Sequence, residues 1–167
     1  PLLRGGAGDH PATAFLDLTH PGAADGFRGR VRRALADGAA LLKPDFGEAV
    51  PPDAVAHDGM TGDRLHNLYP LLYNDLVAAV TREVAGHGMT WGRSTWTGGQ
   101  RHGAKWAGDP NASWPDLAST LRAGLSLSLT GHPFWSHDIG GFHGTPDAEL
   151  FVRWAQFGLL SPLARFH

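Results

Sequence analysis

Cysteine is absent from the 167 residues of this sequence. Without thiols the chain forms neither disulfide bonds nor thiolate metal sites, and it is compatible with a reducing compartment. A hydrophobic run of about 18 residues, which a transmembrane helix needs, is also missing, and no secretory signal pattern is present. These absences exclude disulfide-stapled domains and thiolate metal proteins, give no sign of a membrane partner, and lead us to expect a cytoplasmic location.

An excess of charge of one sign is also missing. Fourteen Lys and Arg residues stand against sixteen Asp and Glu residues, which gives a net charge of −2. Proteins that bind nucleic acid or anionic membranes usually show a basic excess, so we expect neither as a partner and favour a neutral substrate. With 42% hydrophobic and 18% charged residues, the chain has enough apolar material for a substantial core.

Strand-like and helix-like stretches alternate along the chain, a pattern typical of parallel βα units. Apolar spacing and capping residues predict helices over residues 23–37, 72–84 and 148–160. A further helix is predicted after the capping residue Ser113, with Leu117, Leu121 and Leu125 as its apolar positions. The strand-like stretches are residues 13–19, 39–42, 89–93 and 132–136, with a short one just before Asp109. The sequence therefore predicts about five βα units.

The predicted architecture brings the strand ends to one site. Residues 44–63 contain clustered Pro, Gly and Asp without a period, and such long loops commonly carry function. Because polar and aromatic residues recur after the strands, we interpret the fold class as α/β, a partial (β/α)8 TIM barrel, with an open doubly wound sheet as the alternative. A complete barrel takes about 250 residues, so we expect residues 1–167 to be an internal fragment of the barrel, inactive when expressed alone.

Asp45 and Asp109 each follow a short strand-like run. Cleavage of a glycosidic bond needs one carboxyl group to protonate the departing oxygen and a second, ionised one to attack or stabilise the sugar centre. Lys43 would share a strand face with Asp45 and keep it ionised as the nucleophile. Asp109 would be the general acid and then the general base, with Trp106 and Trp114 supplying desolvation. Taken singly, Asp45 would more commonly be a surface residue that begins a loop, and it is the surrounding hexapeptide that favours the nucleophile; Asp109 alone is equally compatible with a turn into Pro110.

Arg93 ends a strand in an otherwise uncharged stretch. Its guanidinium group either forks onto a carboxylate and sugar hydroxyls or forms a structural ion pair. Aromatic side chains near the strand ends are candidates for stacking on pyranose rings, although core packing is their commoner role. These aromatic residues are Trp91, Trp96, Trp106, Trp135 and Phe142.

A metal enzyme is the main rival interpretation from another class. It depends on the cluster His132, His137, Asp138, His143 and His167. No His-Glu-x-x-His helix or comparable ligand spacing is present, and adjacent His137 and Asp138 would point to opposite faces of a strand. We therefore favour hydrogen-bonding roles for these residues and expect no metal.

Several motifs in one order give the chain a family resemblance. They lie at residues 43–48, 66–74, 91–94, 106–109, 134–142 and 157–167. With Lys-x-Asp-Phe-Gly-Glu at residues 43–48 and Trp-Ala-Gly-Asp at residues 106–109, the chain resembles the catalytic barrel of glycoside hydrolase family 31. The resemblance is strongest to the bacterial α-xylosidase and α-glucosidase branch and covers nearly the whole chain.

The resemblance implies a retaining α-glycosidase that hydrolyses terminal non-reducing α-linked glucosyl or xylosyl residues through a covalent glycosyl-aspartate. It implies Asp45 as the nucleophile and Asp109 as the acid/base. The residues that it implies around the terminal sugar are Lys43, Arg93, Trp106, Asp138, Phe142 and His167. It implies no cofactor, and an α-linked oligosaccharide or glycoside as the partner.

The resemblance also implies parts that these residues do not contain. Family members have further barrel strands and β-sandwich domains, which we expect outside residues 1–167. Residues 97–105 differ somewhat from the usual family form, so the choice between glucose and xylose stays open. A non-catalytic carbohydrate-binding or scaffold protein with the same fold is the alternative function, and homo-oligomerisation of the full-length protein is also left open.

Overall fold

The computed structural model describes Leu2 and residues 14–167. The chain divides into two compact units, Pro1–His102 and Gly103–His167. The first unit contains helices α1 (Pro21–Ala36) and α2 (Gly62–Ala85) and strand β1 (Trp91–Gly92). The second unit contains β2 (Ala104–Trp106), α3 (Trp114–Leu129), β3 (Trp135–Ser136), β4 (Asp138–Ile139), α4 (Ala148–Gly158) and β5 (Arg165–Phe166). None of the helices in the described residues is long and apolar enough to cross a bilayer.

The two helices of the first unit form much of its core. Pro21 starts α1 with a preset backbone angle, and Gly38, at φ 108°, lies just after its end. Val31 and Leu35 of α1 are buried in one cluster with Leu76 and Val80 of α2. The helices predicted over residues 23–37 and 72–84 are therefore confirmed, and α2 begins ten residues earlier than its apolar spacing suggested.

Parallel pairing with one helix in each crossover recurs along the described chain. Leu42 pairs with Thr90 across α2. β2 pairs with β3 across α3, and β4 pairs with β5 across α4. Parallel neighbours need such a crossover, so the predicted alternation of βα units is confirmed for these segments.

The strands are shorter than the sequence predicted. Thr13 lies outside the described residues, and over residues 14–19 Leu16 forms only an isolated antiparallel bridge with Leu2. The predicted regular strand over residues 14–19 was therefore wrong, and the one over residues 39–42 is reduced to the bridge at Leu42. Apolar β-branched and aromatic composition signals a buried extended segment, whereas ladder length depends on which partners pair with it.

Helix α3 buries only part of the face that its leucines mark. Leu117 packs against the cluster of Ile139, Leu150 and Trp154. Ser113 caps the helix as predicted, yet Leu121 and Leu125 are 41% and 55% exposed. The buried positions are Thr120 and Gly124. A Cβ atom at Gly124 would lie 2.0 Å from the Trp135 ring, so the missing side chain is what allows the indole to approach the helix.

Gly124→Ala is expected to destabilise the protein although alanine favours helices. Overpacking against the rigid indole costs about 1–3 kcal/mol, more than the roughly 1 kcal/mol that alanine gains over glycine in a helix. Gly29→Ala in α1 is the matched control, because nothing lies within 4 Å of its added Cβ atom. Thermal melts should show a lower midpoint for Gly124→Ala and an unchanged or higher one for Gly29→Ala. Equal rises in both variants would contradict the packing assignment.

Candidate active site

In the first unit, two parallel segments bring Asp45 and Arg93 to the same edge. The Trp91 amide donates to the Leu42 carbonyl oxygen at 3.0 Å, and the Arg93 amide donates to the Pro44 carbonyl oxygen at 3.2 Å. Since parallel strands end at one edge of a sheet, the residues that follow both segments meet there. The predicted strand-end position of Asp45 is confirmed by this pairing.

Arg93 links two carboxylates at this edge. Its Nη1 atom lies 3.0 Å from Asp45 Oδ1, and its Nη2 atom donates to Glu48 Oε1. The Arg93 side chain is 15% exposed, whereas that of Asp45 is 48% exposed. The largely buried guanidinium group holds the half-exposed carboxylate in place by a charged contact, while one side of Asp45 stays open to a ligand.

Phe46 fixes the turn that follows Asp45. Its backbone is left-handed at φ 58°, and its amide donates to Asp45 Oδ1 at 2.7 Å. The Phe46 ring lies 4.5 Å from Arg93 Cζ, a cation–π arrangement. Left-handed backbone at a non-glycine residue is unusual and is enriched at functional sites. The turn therefore orients both members of the Asp45–Arg93 ion pair.

Lys43 lies close to an aromatic ring in the same unit. Its ammonium nitrogen is 5.4 Å from the centroid of Trp91, which is within cation–π range. This contact directs the side chain toward the neighbouring segment that carries Trp91. The predicted action of Lys43 on Asp45 stays a prediction.

A cavity of about 770 Å³ opens beside Asp45 within the first unit. Its lining is mostly apolar and includes Phe15, Phe27, Tyr69 and Tyr73. Burial, together with the charges of Asp45 and Glu48, raises the pKa of Tyr73. Tyr73 therefore remains a neutral phenol at physiological pH, and its hydroxyl group can act as a hydrogen-bond donor near Asp45.

In the second unit, Trp106 and Asp109 lie at the end of β2. Trp106 pairs with Ser136 of β3, and the Ala107 amide donates to the Ser136 carbonyl oxygen at 3.1 Å. Trp106 is buried, whereas Asp109, which follows Gly108 at φ 85°, is exposed. Asp109 is therefore accessible at a strand end, as predicted. Trp114, which we expected to help desolvate it, is itself 46% exposed.

The loop around Asp109 is fastened to the segment that carries Phe142. The Phe142 amide donates to the Pro110 carbonyl oxygen at 2.6 Å, and the Ala112 amide donates to the His143 carbonyl oxygen. A Cβ atom at Gly141, where φ is 92°, would come within 2.6 Å of the Ala112 backbone. Glycine at this position thus permits the close approach that joins the two loops.

Phe142, His167 and Asp138 also come together in the second unit. The Phe142 and His167 rings are 4.6 Å apart between centroids. Asp138 is 1% exposed, and its Oδ1 atom accepts a hydrogen bond from Arg165 Nη1. Phe142 and His167 are accessible to a ligand, whereas direct contact between Asp138 and a sugar stays a prediction.

The residues of the metal interpretation have other surroundings. His137 is buried between aromatic rings and stacks on Phe157 at 4.4 Å. Burial lowers the pKa of His137 to about 4, so the ring is neutral at physiological pH. Within residues 14–167, no three His, Asp or Glu side chains are arranged to hold a metal ion.

Some contributors to the site received no role from the sequence. Glu48 contacts the predicted site residue Arg93, which lies 45 positions away in the sequence. Arg165 contacts the predicted site residue Asp138, which lies 27 positions away. Tyr73 and Phe46 lie inside recognised motifs, but no periodicity or charge signal separates them from core residues. The available signal for Glu48 was its position three residues after Asp45 in a loop.

Comparison with protein families agrees with this arrangement. The model of the glycosyl hydrolases family 31 TIM-barrel domain matches residues 4–167. Parallel βα units with carboxylates at strand ends are the architecture expected of a glycosidase barrel. The chain belongs to glycosyl hydrolase family 31, as its motifs predicted.

Individual relatives show the same relationship. An α-xylosidase of Emericella nidulans is 41% identical over 157 residues, covering 92% of this chain and 20% of the relative. The sulfoquinovosidase of Escherichia coli is 33% identical, covering 91% and 24%. The chain thus spans about a fifth to a quarter of the length of these two relatives.

Solved structures give the fold. A family 31 sulfoquinovosidase from E. rectale superposes with a TM-score of 0.86 at 29% identity, covering 92% of this chain and 25% of that one. The cycloalternan-degrading enzyme from Trueperella pyogenes, solved in complex with a covalent intermediate, superposes with a TM-score of 0.83 at 32% identity, covering 92% and 22%.

Proposed function

We propose that the protein is a retaining α-glycosidase, which releases terminal non-reducing glucosyl or xylosyl residues from an α-linked oligosaccharide or glycoside. We also propose that residues 1–167 act as part of a longer catalytic barrel. The second point is supported by the share of the relatives' length that the chain spans, about a fifth to a quarter. Membership of family 31 supports the first.

The observation that carries the proposal is the ion pair between Asp45 and Arg93. The guanidinium group holds the Asp45 carboxylate at a strand end, with 3.0 Å between Arg93 Nη1 and Asp45 Oδ1, and one face of the carboxylate is open beside a cavity. A nucleophilic carboxylate needs this combination of charge and access. A protein that only binds sugars has no need of an oriented carboxylate at one strand end and a second acid at another.

In the proposed reaction, an Asp45 carboxylate oxygen attacks the anomeric carbon while Asp109 donates its proton to the departing glycosidic oxygen. The C–O bond to the aglycone breaks, and a β-linked glycosyl ester forms on Asp45. Asp109, now ionised, takes a proton from water, whose oxygen attacks the same carbon and releases the sugar with its α configuration. The relative solved with a covalent intermediate supports this two-step route.

The relatives of this chain suggest a small set of candidate sugars for the proposed reaction. The relatives include α-xylosidases, a 1,3-α-isomaltosidase and a sulfoquinovosidase. A sulfoquinovosyl group carries an anionic sulfonate where glucose has a hydroxyl group, so its site needs a cation near that position. We favour the neutral glucosyl and xylosyl groups, because two α-xylosidases are 41% and 38% identical to this chain, against 33% for the sulfoquinovosidase.

The test is release of nitrophenol by the full-length protein from nitrophenyl α-glucoside, α-xyloside and α-sulfoquinovoside. NMR of the freshly released sugar should show the α anomer first, and added EDTA should leave the rate unchanged. A β anomer as the first product would contradict retention. Sugar binding without nitrophenol release would favour the non-catalytic scaffold.

A further inference from the structure

We propose that Arg165 is a positioning residue, which fixes His167 and Phe142 through its ion pair with Asp138. The inference deepens the proposed function and rests on it, since His167 and Phe142 are two of the predicted contacts of the terminal sugar. Arg165 itself was assigned no role by the sequence. Its importance follows from contacts within the second unit.

The ion pair is enclosed on the Asp138 side. Asp138 is 1% exposed, and its Oδ1 atom accepts a hydrogen bond from Arg165 Nη1. Its Oδ2 atom is buried as well and has no hydrogen-bond partner within the described part of the chain. A buried carboxylate is costly without a counter-charge, and Arg165 supplies one at hydrogen-bond distance. Displacing Arg165 would therefore leave a buried charge uncompensated.

The same pair fixes the position of His167. Asp138 and Arg165 lie directly opposite each other in the parallel register of β4 and β5, and the next pair is Ile139 with Phe166. The His167 amide then donates to the Ile139 carbonyl oxygen at 3.4 Å, which extends the pairing to the residue after β5. Because these strands are only two residues long, a charged side-chain contact is a large share of what sets their register.

The segment that leads to Phe142 starts at the other member of the pair. The Asp138 carbonyl oxygen accepts a hydrogen bond from the Gly141 amide at 3.0 Å, which closes the turn before Phe142. The Phe142 ring then lies 4.6 Å from the His167 ring. The ion pair thus joins the segment that leads to Phe142 to the segment that leads to His167, close to the start of each.

The test removes both charges together, because Arg165→Gln alone would leave Asp138 buried without its partner and the protein could fail to fold. The variants of the full-length protein are Asp138→Asn with Arg165→Gln, His167→Ala, and all three substitutions combined. Arg153→Gln, on the exposed surface of α4, is the matched control for the loss of a guanidinium group. Each is assayed for kcat and KM on the nitrophenyl α-glycoside that the unmodified protein hydrolyses best.

The neutral pair should raise KM about tenfold, the value of one well-made interaction, with kcat changed less than about threefold. In the His167→Ala background the same change should raise KM by a smaller factor, about threefold, because only the part of the effect that acts through Phe142 remains. Equal factors in both backgrounds would show a general structural role and overturn the inference, as would an unchanged KM. If the unmodified protein hydrolyses none of the glycosides, the proposed function fails and this inference falls with it.

Discussion

Asp45→Asn should reduce kcat on an activated nitrophenyl α-glycoside by at least about 10⁴-fold, the scale on which removal of a nucleophile acts. The amide has no ionised oxygen with which to attack the anomeric carbon. Folding should be little affected, because Arg93 keeps its second partner, Glu48, and the carboxylate that is lost is half exposed. Steady-state kinetics and a thermal melt of the same preparation check both statements.

The control for this change is Asp53→Asn. Asp53 is exposed in the same loop, so the variant makes the same chemical change without touching the Asp45–Arg93 ion pair. Its kcat should match that of the unmodified protein. A residual kcat within about tenfold of normal for Asp45→Asn would remove Asp45 from the role of nucleophile.

Asp45→Ala adds a positive readout to the loss of activity. It leaves space beside Arg93 for a small anion, and the guanidinium group would attract azide to that position. Azide attacking from the side of the missing carboxylate displaces an activated aglycone in one step and gives a β-glycosyl azide. An α-glycosyl azide from this variant would place the nucleophile elsewhere.

The first unit shows how far local sequence patterns determine the fold. The C-terminal end of α1 was predicted, because Gly38 acts through its own backbone preference, whereas the helix begins at Pro21, before the predicted start at Ala23. The edge shared by Asp45 and Arg93 was predictable as well, since residues after parallel strands meet wherever the strands pair. Phe46 was not, because a left-handed phenylalanine contradicts the local preference and is held by its surroundings.

The second unit shows what depends on long-range packing. The leucine spacing of α3 gave the helix, but of its three leucines only Leu117 packs on the core, because the closest contact of the helix is between Gly124 and the distant Trp135 ring. The Asp138–Arg165 ion pair depends on the register of two strands of two residues each, which no local period encodes. Sequence motifs therefore identified residues around the candidate site, while the contacts that orient them came from tertiary structure.

Asp109→Ala should lower activity by an amount that depends on the leaving group. A general acid contributes about 10²–10⁴-fold when the departing oxygen needs a proton, as in a disaccharide. A dinitrophenyl group leaves without protonation, so its release from the sugar should stay fast and the glycosyl ester on Asp45 should accumulate. A burst of dinitrophenol, followed by slow turnover, is the expected result.

Azide separates this role from that of Asp45. It needs no general base, so it should restore turnover of the dinitrophenyl glycoside by Asp109→Ala and give an α-glycosyl azide, the result of two inversions. Glu149→Gln, an exposed carboxylate change in the first turn of α4, serves as the control and should behave like the unmodified protein. Since Asp109 is exposed at the end of β2, its loss should leave the melting temperature nearly unchanged. Equal losses on the disaccharide and the dinitrophenyl glycoside, without rescue by azide, would assign the acid/base role to another group.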